Sequence, residues 1–431
     1  MAVVAVLAVV VASFSRPAPA TSSTHQVGSR PATLDSGATS THEALSATIT
    51  LTRKRLRTNQ ADEPSWTELG SAYLQLAEIT GDPTYFPRAE EALERSLALD
   101  PANNWNAMTE LGALANARLD FTQALGWARQ ATDVNAYAVS AYGVMIEALT
   151  QLGDYSAASV AVRRVLKLQP GTTAFIQAAE YFEERGDNSS ARRILLRALA
   201  ETNEPSDLAL CRYYLGELSS NQGDPRAALR QFQLGLLTNP DSDPLLAGRA
   251  KAEVALGRRA AALLDYATVT HRTTQPQFLL DNAELLLSLG RDGEAEQQFV
   301  ALATARQRLA TNGVANDLMI AVLEADHGSA TAAVRHAETE WRRRKGAPVA
   351  DALGWALHRA GRDREALGYA ARANRVGRRN ATYRYHLGMI ELALGHRAAA
   401  RLDLERALQI NPYFSVLQAT VARRALIAVS R

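Results

Sequence analysis

Ten alanines keep step along this chain: Ala89, Ala124, Ala158, Ala191, Ala228, Ala262, Ala295, Ala333, Ala366 and Ala400, spaced by 35, 34, 33, 37, 34, 33, 38, 33 and 34 residues. A single compact core imposes no such ruler, because its contacts join segments at arbitrary separations. A ruler of this length arises when one supersecondary unit stacks on copies of itself and each copy buries its apolar face on its neighbours. Alanines scattered at random through an alanine-rich chain would not hold the phase. A second marker runs beside the first, since Gly-Asp or a variant recurs at Gly153-Asp154, Gly186-Asp187, Gly223-Asp224, Gly257-Arg258, Gly290-Arg291, Gly361-Arg362 and Gly395-His396. Glycine there supplies the left-handed conformation that ends one helix, and a following aspartate caps the next.

The unit is clearest at Trp66-Thr67-Glu68-Leu69-Gly70-Ser71-Ala72-Tyr73. On a helix its Trp, Leu, Gly and Tyr form one stripe, and the glycine removes a side chain where a second helix must come close. The other half of the unit is cleanest at Ala228, Phe232 and Pro240, after Leu215-Gly216 has supplied the packing pair. Prolines at Pro101, Pro170, Pro240 and Pro412 stand where a helix must stop. Two places disturb the ruler: a Pro83 to Pro87 segment inserted in the first turn, and a degenerate eighth unit from about Gly313 to Trp341, expected to bend the array.

Residues 61 to 412 therefore resemble a tetratricopeptide repeat protein of about ten units at a 34-residue period. The chain is also similar to a group of exported actinobacterial proteins of this kind with no assigned activity. The resemblance implies an all-α fold, a right-handed α-solenoid or superhelix of helix-turn-helix repeats with capping helices at its ends. The first cap is expected at 42 to 60, with helical spacing from His42 to Arg57 and Thr41 as N-cap, and the second at 413 to 431, reading as a helix from Phe414 to Val429.

Ahead of the array, Met1 to Phe14 is an unbroken apolar run, too short to span a bilayer comfortably, followed by Arg16 and the small-residue sequence Ala18-Pro19-Ala20. Residues 1 to 20 read as a secretory signal peptide, with a retained signal-anchor as the alternative. No Lys or Arg precedes the apolar run, which is a departure from the full pattern. Residues 21 to 41, rich in Ser, Thr, Pro, Gly and Ala, read as a disordered linker. These features place the array outside the cytoplasm, secreted or anchored, with membrane contact through the N-terminal segment alone.

A net charge of +2 argues against a protein that coats nucleic acid, and Cys211 as the sole cysteine excludes an intramolecular disulfide or a cysteine-based metal cluster. There is no phosphate loop, H-E-x-x-H or G-x-S-x-G. No cofactor and no metal are expected, the chain reads as a non-enzyme, and each histidine reads as a surface or capping residue. The run Arg342-Arg343-Arg344-Lys345 is the strongest basic cluster and falls where a helix C-terminus favours cations anyway.

In arrays of this family the first helices line the concave face. The inward position, six residues before each turn glycine, holds Glu147, Glu180, Glu217, Lys251, Glu284, Val322, Trp355 and Met389. Neighbouring positions add Glu183, Glu184, Tyr213, Tyr214 and Asp281 in the middle, and Asp351, His358 and Tyr385 near the end. Arginines such as Arg163, Arg193, Arg197, Arg226 and Arg230 fall on the second helices, toward the outside. The expected function is a protein-interaction scaffold. Its acidic groove takes a protein or peptide carrying basic residues, with Trp355 and Tyr385 as anchors. A merely solvated groove, with Lys251 paired to flanking glutamates, is the alternative use of the same residues. Two other functional readings stand: an accessory subunit presenting substrate to an extracytoplasmic enzyme, or a cytoplasmic peptide sensor if the N-terminus is no export signal.

Overall fold

The computed structural model describes residues 37–375, 377 and 379–430, with side chains from residue 42 onward. The expected export segment, residues 1–20, lies outside the described residues, as does most of the expected linker. Among the described residues there are 22 α-helices and no strand. Twenty of them form ten antiparallel hairpins, and Gly37–Thr58 and Gln418–Val429 close the two ends. The first helices are Glu63–Thr80, Trp105–Ala117, Val139–Leu152, Thr172–Glu184, Pro205–Asn221, Asp243–Ala255, Pro276–Ser288, Asp317–His327, Ala347–Arg359 and Ala381–Ala393.

Every alanine of the ladder lies on a second helix, and none is more than 1% exposed. They are small because backbones meet there. A Cβ added to Gly354 would lie 3.0 Å from the backbone nitrogen of Ala370 and 3.2 Å from the carbonyl oxygen of Ala366. The seven turn glycines all have positive φ, from 69° at Gly290 to 84° at Gly153. Asp154, Asp187 and Asp224 cap the helices that follow, accepting from the backbone N–H three residues on at 3.0, 3.0 and 2.9 Å. In the second hairpin Leu119 takes the left-handed position at φ 62°, the sole described non-glycine to do so.

Four boundaries depart from expectation. Thr41 is no N-cap, because the opening helix starts at Gly37 and its stretch Gly-Ala-Thr-Ser-Thr contains no proline to stop it. Pro87 is inside the helix Tyr85–Leu99, within the first turn, where a missing N–H costs no helical bond. The eighth unit is a complete hairpin, Asp317–His327 with Ala330–Arg343, although Gly328 has φ −137° and Ser329 supplies the cap. The long step of 38 comes instead from the seventh hairpin, whose second helix Asp292–Thr311 runs for 20 residues. The final cap starts at Gln418, because Ser415 Oγ accepts the N–H groups of Leu417 and Gln418 at 3.2 and 3.0 Å.

The hairpins do more than stack on their neighbours. The turn inside each of the first five hairpins meets the connector that follows the hairpin five places later. Gly81 abuts Thr273 and Gln275, and Asp82 pairs with Arg308 at 3.0 Å. Ala315 N–H donates to Arg118 O at 3.0 Å, and Arg343 donates to Leu119 O at 3.0 Å. Arg344 donates to Gln151 Oε1 at 2.5 Å while Gly346 lies against Gly153. Gly377 approaches Arg185 O, and Asn411 Nδ2 donates to Ser220 O at 2.9 Å. These five contacts form a seam, so successive turns of the spiral touch and the inner wall becomes the lining of a tube.

The seam absorbs the basic run. Arg344 is 4% exposed, pairs with the fully buried Glu340, and stacks over Phe121 at 4.7 Å. Arg343 joins the same carboxylate at 3.0 Å, and Lys345 lies over Trp341 at 4.6 Å.

Candidate functional site

All eleven candidate groove residues lie on first helices, and the structure divides them into two groups. Glu147, Glu180, Glu183, Tyr213, Glu217 and Lys251 are half-buried on the inner wall. Polar contacts link one repeat to the next along this wall. Asn116 donates to Glu147 at 3.0 Å, Asn221 to Glu183 at 2.8 Å, and Lys251 to Glu217 at 3.0 Å. His327 meets Glu284 Oε1 at 3.1 Å, and Glu284, 8% exposed, leaves Oε2 without a hydrogen bond.

Two carboxylates of this wall, Glu78 and Glu110, escape the sequence ruler. The first hairpin has a lengthened first helix, the second has leucine in place of the turn glycine, and both glutamates lie one helical turn from the ruler position. With them the wall carries Glu78, Glu110, Glu147 and Glu180 from four consecutive hairpins, and among the described residues no cation is paired with any of the four. Burial pushes Glu110 up to about 7 against a hydrogen bond from Ser71, and pushes Glu147 up to about 7 against one from Asn116. Glu78 is raised by burial and then by the charges of Glu110 and Glu147; Glu180 is raised by burial and then by Glu147. The carboxylates therefore sense one another across hairpins and form one electrostatic unit, in which a bound cation would relieve both desolvation and mutual repulsion.

Toward the other end the inward residues are packed among themselves. Trp355 and Tyr385 are each 3% exposed and offer no free aromatic face as anchors. Trp355 stacks on His386 with ring centroids 4.1 Å apart and donates to Asp326 Oδ1 at 2.8 Å. Gln418 of the end helix donates to the same oxygen at 2.9 Å, and Phe414 lies 5.3 Å from Tyr385. His358 stacks on the other side of Trp355 at 4.9 Å and meets Asp363 at 2.5 Å, while Met389 is half-buried beside this cluster. His386 corrects the expectation of surface histidines, being 2% exposed with Nδ1 2.9 Å from the buried carboxylate of Asp351. Nothing in its sequence surroundings marks it, because its partner is 35 residues away.

Cys211 is fully buried, and desolvation followed by the charge of Asp207 pushes its thiol up to about 12, so it is inert. Among the described residues no group of His, Cys, Asp or Glu has the arrangement to hold a metal ion. No described helix is long and apolar enough to cross a membrane. On the outer side of the seam a cleft of about 1090 Å³ carries Arg192, Arg384 and Arg406, the last two drawn to Asp403 at 2.7 and 3.8 Å. This cleft is thus richer in arginine than the acidic inner wall.

Hairpins stacked on a small-residue ladder around a continuous inner wall define an α-solenoid of the scaffold type. Residues 381–414 match the tetratricopeptide repeat family model. The same hairpin, turn and ladder recur through the array, so the chain has the fold of a tetratricopeptide-type solenoid, and its last hairpin matches that family in sequence. In fold it is similar to a tetratricopeptide repeat protein from Parabacteroides merdae, 20% identical over 60% of this chain and 99% of that one, with a TM-score of 0.36. It is also similar to the human IFIT1 dimer with m7Gppp-AAAA, 15% identical over 86% of each chain with a TM-score of 0.48. A third likeness is to the APC/C hetero-tetramer Cut9-Hcn1, 14% identical over 92% of this chain and 84% of that one, with a TM-score of 0.43. No curated protein matches the chain in sequence.

Proposed function

We propose that this protein is a non-enzymatic scaffold whose inner wall holds a basic polypeptide, and that it works outside the cytoplasm, released or tethered through its N-terminal segment. The observation that carries the binding half is the row Glu78, Glu110, Glu147 and Glu180, four carboxylates on successive hairpins with no cation paired to them among the described residues. Stacked hairpins repeat at a fixed rise, so a ligand matching this row carries cations along an extended chain and not on one compact patch. Phosphate backbones are repelled by the same wall, which disfavours nucleic acid as the occupant. The localisation half is supported by the apolar run Met1 to Phe14 and the small residues after it.

Binding of a fluorescein-labelled linear lysine-alanine peptide, followed by anisotropy, tests the reading. The native chain binds it, and Glu110→Gln, Glu147→Gln and Glu180→Gln combined abolish binding while leaving the helical circular dichroism unchanged. Because Glu110 and Glu147 take up protons below about 7, the peptide must displace them, so affinity is several-fold weaker at about pH 6 than at about pH 8. Equal affinity for the triple variant and the native chain would end this reading. Fractionation of the tagged protein in its host tests the localisation, and recovery in the cytoplasm alone would refute it.

A further inference from the structure

An open solenoid groove takes a partner from the side. Here the side is shut. The seam joins the first five hairpins to the last five at five levels, by the Asp82–Arg308 pair at 3.0 Å, the backbone bond from Ala315 to Arg118 at 3.0 Å, the Arg344–Gln151 bond at 2.5 Å, the approach of Gly377 to Arg185, and the Asn411–Ser220 bond at 2.9 Å. Its centre holds the buried Arg344, which stays paired with Glu340 of its own helix but on opening would lose Gln151 and the face of Phe121 across the seam. At its last level a cavity of only about 60 Å³ separates Lys251 and Asn221 of the inner wall from Asn411 and Phe414 across the seam. With its side fastened at five levels, the acidic wall is approached along the axis of the tube.

We infer that the tube is loaded end-on: its basic partner enters as a free, unfolded chain terminus, and a basic segment held between folded domains is excluded. This rests on the reading of the inner wall as a site for basic polypeptide. It adds a steric rule that charge alone does not impose, since an open groove of the same charge would accept either form.

The experiment compares two probes of identical basic sequence, the linear lysine-alanine peptide and the same peptide inserted between two copies of a small folded domain. The expected result is that the linear probe binds while the blocked probe is weaker by about tenfold or more, a steric exclusion from binding that depends on geometry and not on charge. A second arm uses Arg308→Ala with Arg343→Ala, which loosens the upper seam. With helical circular dichroism retained, this variant regains binding of the blocked probe. Equal binding of both probes by the native chain overturns end-loading and leaves the acidic wall intact as a site. Failure of the linear probe to bind overturns the inner-wall reading and end-loading with it. Continued exclusion of the blocked probe by a folded, loosened variant overturns the seam as the barrier.

Discussion

The two halves of the inner wall use equivalent helix positions for opposite purposes. Glu147 and Glu180 sit six residues before their turn glycines, half-buried and without a paired cation among the described residues; Trp355, at the same position of the ninth hairpin, is 3% exposed and locked by Asp326 and His386. The difference is made by what lies opposite. At the C-terminal end Phe414 and Gln418 fold back against Tyr385 and Asp326, so inward-facing residues there become core. At the N-terminal half the neighbours along the wall are other carboxylates. A repeat position thus fixes a direction, and its neighbours decide whether that direction is a surface.

The largest effect that tests this contrast is Trp355→Ala, expected to cost about 3–5 kcal/mol as a buried aromatic is lost, with no change in affinity for the basic peptide. Denaturant unfolding and anisotropy read the two quantities, and a loss of affinity at unchanged stability would make the aromatic cluster a site after all. Next is Arg344→Ala, which removes one of two partners from the fully buried Glu340 and is expected to cost about 3 kcal/mol, seen as a lower denaturation midpoint. Glu110→Gln with Glu147→Gln acts in the other direction. These carboxyls bind protons more tightly folded than unfolded, so native stability is full below the ordinary value of 4.5 and declines as pH rises to about 7. Thermal midpoints of the double variant therefore vary less over that window and exceed the native ones at about pH 8; parallel profiles would show that the wall is solvated. The smallest effect is Arg291→Ala, whose pair with Glu294 at 2.5 Å is exposed on both sides and screened by solvent, and it is expected to leave the denaturation midpoint unchanged.

The ladder, the turn glycines and the stop prolines were legible because each encodes an interaction within one hairpin or between adjacent ones, where sequence separation is fixed. Glu147, Glu180 and Glu217 could be placed inward for the same reason. Glu78 and Glu110 were missed because the first hairpin has a lengthened first helix and the second has no turn glycine, and His386 because its pair with Asp351 recurs in no other repeat and so leaves no periodic mark.

The sequence by itself determined that the chain is a stack of helix hairpins and which helix face turns inward, since period and side-chain size are local quantities. Only the tertiary structure decided that the stack closes into a tube, that Arg343 and Arg344 are part of its fastening, and that Trp355 and Tyr385 are core. Closure depends on small rotations summed over five hairpins, and a sum of that kind is written in no single residue.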